Sequence, residues 1–252
     1  GGDDGDGGDG GDGGDGGDDD DGDGAVAVGL FLEGTNVSED WVSENLKERL
    51  INSMRVASTP ELMPARQGNL SVRDPDTGYL AITPHAYAYA VMNVEDLVVL
   101  DPAGEKVAGK HEPSADSRVH ATVYRERADV NAVIHSEPPY VNAFGALGRE
   151  IHTITTNGLK SSRGDVPIMP FWAGARDEAF ALDMLQVMGD RDAVIWRNHG
   201  LVVVADSIEL AVDKTIGVEF NAQVLFIALQ VGQPQGLRYG GDSRILTSDL
   251  GD

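Results

Sequence analysis

The chain has 252 residues, no cysteine, 41% apolar residues and a formal charge of −23. That is material for one large domain or two small ones with a buried core, and it excludes disulfides, thiolate metal sites and cysteine nucleophiles, while leaving the redox compartment open. No run approaches the ~18 apolar residues of a membrane span, and 42 acidic against 19 basic residues argue against nucleic-acid binding.

The charge is uneven. Residues 1–24 contain only Gly and Asp, 11 of them Asp, and the remainder carries 31 acidic against 19 basic residues. Such a tail has no apolar side chain to bury and its charges repel, so it is expected to be disordered. It lacks the basic start and apolar stretch of a signal peptide. A Ca²⁺-binding Gly/Asp repeat would need apolar positions to pack a core, and none is present. The acidic body resembles proteins that stay soluble in high salt.

From Ala25 the chain reads as mixed α and β. Residues 25–32 form a short apolar strand or an appended segment. Residues 38–54 read as a helix with Ser38 as N-cap and Trp41, Leu46, Leu50 and Ile51 on one face. Residues 68–84 are a hairpin around D-P-D-T-G, and residues 96–109 repeat that design. Residues 114–127 are a helix capped by Ser114, and 131–135 a strand. The stretch 155–165, rich in Ser, Thr, Asn and Gly, reads as a mobile loop near the cleft. Residues 176–189 form a helix ended by Gly189. Residues 192–206 are two strands around an N-H-G turn, and 207–232 one long helix, or two broken near Gly217. Hairpins and interleaved helices imply a sheet covered by helices. No internal repeat or linker appears after Thr35, so a single domain is expected from about residue 36.

Candidate chemistry centres on "AVIHSE". His135 and Glu137 are two apart and share one face of a strand. An imidazole and a carboxylate there suit either a metal or a solvated pair at the strand end. Asp116 falls in a first helical turn, where the helix dipole favours a carboxylate whatever its role. His120 lies one turn on. His85 reads as a loop residue or an anion contact, and Asn69 and Ser71 as turn and strand-end residues or ligand contacts. His111 is expected to be exposed and His152 structural. Tyr239 is expected on the surface, within reach of a neighbouring subunit.

The ordered series "GNLSVR", "ITP", "EDLVVLD", "GK", "PSAD", "AVIH" and "NHGLVVV" resembles the class II aldolase/adducin family over about residues 39–232. GN-x-S alone is weak; the series in order is fairly specific. The resemblance implies a three-layer α/β/α sandwich on a mixed, largely antiparallel sheet, and homotetramers with active sites between subunits. It implies a cytoplasmic lyase that cleaves or forms a C–C bond in a small hydroxylated carbonyl compound, a sugar or sugar phosphate, through a metal-stabilised enediolate. Epimerase and decarboxylase share that logic. The family's three metal-binding histidines fall on His135, Glu137 and His199, so one ligand departs from the pattern. Glu still binds Zn²⁺ at a similar distance, and two histidines with a carboxylate also suit Mn²⁺ or Fe²⁺. Zinc is the expected metal. Asp116 falls on the carboxylate that moves protons. Phosphate contacts fall on Asn69, His85 and Ser114, with Ser71 beside them, but Ala86 and Ala115 replace a glycine and a serine. No tyrosine stands at Thr155 or Thr156, where a proton donor is expected. Two alternatives remain: a non-haem Fe(II) oxygenase using the His-x-Glu…His set, and a non-catalytic adducin-like scaffold.

Overall fold

The two hairpins and the strand after residue 131 join in one antiparallel sheet of seven strands. The computed structural model describes residues 41–171, 174, 176–241 and 244–250. The acidic tail, the 25–32 segment and the first residues of the helix predicted from 38 lie outside the described residues. The strands are β1 (Gly68–Arg73), β2 (Leu80–Ile82), β3 (Val98–Leu100), β4 (Lys106–Ala108), β5 (Ala132–Ser136), β6 (Ala193–Trp196) and β7 (Gly200–Ala205). Their order is β4-β3-β2-β1-β5-β7-β6. In the first hairpin Asp74 accepts from the Asp76 and Gly78 backbone amides, which closes the turn.

Helices cover both faces: α1 (Glu44–Ala57), α2 (Ser117–Glu126), α3 (Pro139–Leu147), α4 (Thr156–Ser162), α5 (Glu178–Met188) and α6 (Ile208–Val231). Strand period two sorts the core. On β5, Ala132 and Ile134 join α1 and the start of α6, while Val133 joins α2 and α5. On β7, Leu201 and Val203 pack with α3 and α6, and Val202 and Val204 with α2 and α5. The result is the expected α/β/α arrangement.

Several boundaries differ from the sequence reading. Helix α1 begins after Ser43, not Ser38, and its buried face runs from Leu50 and Ile51 to Met54 and Ala57. Helix α2 begins at Ser117 with Asp116 as N-cap; Ser114 instead accepts from the Asp116 amide through its hydroxyl. The 155–165 stretch is not an irregular loop but contains α4. The Thr155 hydroxyl caps it by accepting from the Gly158 amide, and Asn221 of α6 accepts from the backbone amides of Ile154 and Thr155. A helix and a hairpin were not anticipated. Helix α3 starts at Pro139, whose missing N–H costs nothing at a first helical position. Past α6 comes a hairpin of two strands, β8 (Gln235–Tyr239) and β9 (Ile245–Asp249). Helix α6 is one unbroken helix through Gly217. Among the described residues, no helix is long and apolar enough to cross a membrane.

Candidate active site

Strand β1 and helix α2 share a polar seam. Asn69, Ser71 and Arg73 alternate along β1, and Asp116, His120 and Tyr124 recur every fourth residue along α2, so the two rows face each other. Asn69 Nδ2 donates to Asp116 Oδ2 at 2.6 Å. Ser71 Oγ lies 2.6 Å from His120 Nδ1 and 2.7 Å from the Tyr124 hydroxyl. Arg73 donates to the Tyr124 carbonyl at 2.6 Å. All except Arg73 are buried.

His135 pairs across the sheet with Asn69 on one side and Val202 on the other, which places its side chain on the same face as this seam. Its Nδ1 donates to the Leu201 carbonyl at 3.1 Å, leaving Nε2 with a free lone pair. The ring stacks on Trp196 at 4.6 Å and on His199 at 4.9 Å. Trp196 is fully buried and anchored by donation to the Met184 sulfur. Burial pushes the His135 imidazole down to about 4, and burial with the Arg176 charge lowers His199. Both rings are therefore neutral at neutral pH, as ligation requires.

His199 sits in the turn joining β6 to β7, where Asn198 adopts φ 58°, a left-handed conformation Asn tolerates. Gly200 is required by proximity. A Cβ there would stand 2.4 Å from the Ser136 carbonyl oxygen, 2.8 Å from the His135 ring and 3.2 Å from the Glu137 Cγ. Glu137, just past β5 and half-buried, has its carboxyl raised by burial and by Asp116. Donor atoms of His135, Glu137 and His199 all lie within 4.8 Å of one another. Two neutral imidazoles and one carboxylate, one imidazole oriented by a backbone carbonyl, are a donor set that fits a divalent cation.

These side chains line a cavity of about 300 Å³, shared with Asn69, His85, Ser114 and Asp116. Ser71, expected beside the ligand, does not reach it; it is 1% exposed and supports His120 from behind. His120 is likewise buried away from the cavity, its imidazole pushed down to about 4 by burial. His85 is exposed at the rim, and Ala86 beside it holds φ 52°, the conformation a glycine would adopt freely. Asn69 Oδ1, Asp116 Oδ1 and His120 Nε2 are buried without a hydrogen-bond partner, a concentration that marks a site built for something more than the chain itself. Burial pushes the Asp116 carboxyl up, but His135, the Asn69 hydrogen bond and Arg176 bring it below the ordinary carboxylate value.

Arg176 and Tyr89 are among the cavity residues that the sequence reading did not single out. Arg176 places Nε 3.0 Å from Asp116 Oδ1 and donates from a terminal nitrogen to His199 Nε2 at 3.3 Å. Tyr89, on a short 3₁₀ turn, donates its hydroxyl to the Gly68 carbonyl, and burial with the Asp116 charge pushes it up to about 12. Tyr89 lies in no predicted element, and Arg176, read as the first residue of the 176–189 helix, instead precedes α5, which begins at Glu178. Of the remaining candidates, His111 is partly buried against Asp96 rather than exposed. His152 pairs with Asp165 at 2.8 Å, a structural contact, and Tyr239 is exposed on β8.

The profile of the Class II Aldolase and Adducin N-terminal domain matches residues 48–226. The chain is 31% identical over 169 residues to the 5-deoxy-D-ribulose 1-phosphate aldolase of Bacillus thuringiensis serovar kurstaki, covering 67% of this chain and 78% of that protein. It is 30% identical over 201 residues to the 3,4-dihydroxyphthalate decarboxylase of Arthrobacter keyseri, covering 75% and 80%. Its fold is similar to that of a solved L-fuculose 1-phosphate aldolase, with TM-score 0.73, 27% identity and coverage of 78% and 92%.

Proposed function

Because this chain belongs to the class II aldolase and adducin family, we propose that it is a metal-dependent lyase acting on a small hydroxylated carbonyl compound, a sugar or sugar phosphate. The observation that carries the reading is the meeting of His135, Glu137 and His199 within 4.8 Å, beside the buried carboxylate of Asp116. These three residues would hold the ion, with zinc proposed and manganese or iron as substitutes. When bound, the ion supplies Lewis-acid stabilisation of the negative charge that develops on the substrate's oxygens.

The chain's own residues handle the proton. In the cleavage direction the hydroxyl β to the carbonyl loses its proton, the C–C bond to that carbon breaks, an aldehyde leaves, and a proton returns to the remaining carbon. Asp116 is placed to take and return it. Its lowered pKa keeps it ionised and able to accept, and the Asn69 donor fixes its orientation. Ser114 and His85 line the cavity and are proposed to hold a phosphate, with Asn69 contributing where its second amide hydrogen is free. The N-terminus of α2 at this end also favours an anion. Ser71 acts on the site only through His120.

The proposal includes a cytoplasmic homotetramer. An exposed apolar stripe on α6 (Ile216, Phe220, Ile227 and Val231) supports association between copies.

The test is a panel of ketose phosphates, free ketoses and hydroxy-oxo acids, assayed for aldehyde release with added Zn²⁺, Mn²⁺ or Fe²⁺. Metal-dependent cleavage without O₂ supports the lyase. Turnover only with Fe²⁺ and O₂ transfers the same ligands to oxygenase chemistry. No turnover and no bound metal leaves a scaffold.

A further inference from the structure

We propose that Arg176 is a specificity-determining residue that binds a carboxylate of the substrate, so that the preferred substrate is a hydroxy-oxo acid rather than an uncharged ketose. The inference rests on the lyase reading of this cavity.

Three observations support it. Arg176 is the sole arginine or lysine among the described residues lining the cavity. Its donors are underused. A guanidinium offers five N–H groups, yet among the described residues Arg176 makes one hydrogen bond, the 3.3 Å contact to His199 Nε2. Its 3.0 Å approach to Asp116 is an ion pair in which Asp116 Oδ1 gains no hydrogen bond. Arg73, by contrast, has all three nitrogens engaged, by Asn131, Tyr124 and Ala128. Finally, the residues proposed for a phosphate, Ser114, His85 and Asn69, include no arginine or lysine. Ala115 beside them offers no hydroxyl, and one hydrogen of the Asn69 amide is already given to Asp116 at 2.6 Å.

Position selects the anion. Arg176 touches both His199 and Asp116, so a group it holds lies beside the reacting atoms. A 2-oxo acid carries its carboxylate one bond from the carbonyl carbon, whereas a phosphate ester stands farther off, across at least a carbon and an oxygen. The planar guanidinium fork matches a carboxylate in two parallel hydrogen bonds. A substrate of this kind also gives Arg176 a partner other than His199, whose Nε2 is then released for other bonding.

Calorimetric binding to the metal-loaded full chain tests this with three matched probes: hydroxypyruvate, dihydroxyacetone and dihydroxyacetone phosphate. The native protein is expected to bind hydroxypyruvate at least ~10-fold more tightly than dihydroxyacetone. Arg176→Gln should lose roughly 10–100-fold of the hydroxypyruvate affinity and change the dihydroxyacetone affinity far less. Arg176→Lys, which keeps charge without the fork, should recover only part of the loss, and the far-UV circular dichroism of both variants should match the native protein. Equal loss for all probes, or equal binding of hydroxypyruvate and dihydroxyacetone, overturns the inference. Tight binding of the phosphate ester alone overturns it and leaves the lyase reading standing. Binding of none of the three overturns both.

Discussion

The cavity has two unlike walls. One is the end of the seam between β1 and α2, where Asn69 and Asp116 line the cavity and Ser71, His120 and Tyr124 lie buried behind them, with short hydrogen bonds along the seam. The other is made of turns and loop ends: the His199 turn, Arg176 and the His85–Ala86 turn, all partly or fully exposed. The first wall fixes one carboxylate in one orientation. The second presents ligands and charges that have room to change partners. A lyase of the proposed kind needs both, a proton carrier that does not wander and a mouth that accepts a substrate.

The largest expected effect lies on the buried wall. Asp116→Asn keeps the shape and removes the proton carrier, so turnover should fall by about 10²–10⁴. Bound metal should stay at the native level. Steady-state rates and metal content on the same preparation check both halves, and a loss of metal with rate would mean that Asp116 belongs to the ligand set.

Next comes the join between the walls. Gly200→Ala inserts a methyl 2.4 Å from the Ser136 carbonyl, against backbone that cannot easily yield. A destabilisation of about 1–3 kcal/mol is expected from urea unfolding, together with weakened metal binding. An unchanged midpoint would mean that the His199 turn shifts freely and that His135 and His199 are not held together.

A smaller effect concerns the support of the open wall. Tyr87, which lines the cavity, packs tilted against His111 with ring centroids 4.7 Å apart, and His111 and Lys110 both pair with buried Asp96. Lys110 chiefly, with the Asn93 amide and His111, holds the Asp96 carboxyl well below the usual range against the opposing effect of burial. A depressed carboxylate stabilises the fold above its unfolded value, about 4, and that contribution disappears as pH falls toward the folded value. Asp96→Asn should therefore cost about 1 kcal/mol at pH 7. The gap from the native protein should close progressively below pH ~4. A gap independent of pH would assign the loss to packing.

The smallest effect is a gain. Ala86 holds φ 52°, which an L side chain adopts at a cost and glycine does not. Ala86→Gly should raise stability by about 0.5 kcal/mol once the extra freedom of glycine in the unfolded chain is subtracted. A loss in thermal unfolding would show that the Ala86 methyl is packed.

The same contrast governs what could be read from the sequence. His135 and Glu137 were visible because strand period two puts them on one face, and the N-H-G turn between two β-branched runs placed His199 near a strand end. The α2 row was half legible, since Asp116 and His120 are one helical turn apart. That Ser71 turns into this row rather than toward the ligand was not, because the partner row lies 49 residues away. Arg176, read at the start of the 176–189 helix, sits ahead of α5, and its partners are 60 residues before it and 23 after it in the chain. Helix α4 was hidden by its polar composition, because the side chain that secures its start, Asn221, comes from α6. Local chemistry predicted elements; bonds closed by distant residues it did not.

Metal stoichiometry and affinity, measured on the native chain and on His199→Ala, Glu137→Ala and Glu137→His, test the central claim most directly. The account predicts one divalent ion per native chain, loss of stoichiometric binding in His199→Ala, clear weakening in Glu137→Ala, and zinc binding kept or tightened in Glu137→His. Native-level affinity in Glu137→Ala would contradict it and reduce His135 and Glu137 to a pair of neighbours at the end of a strand.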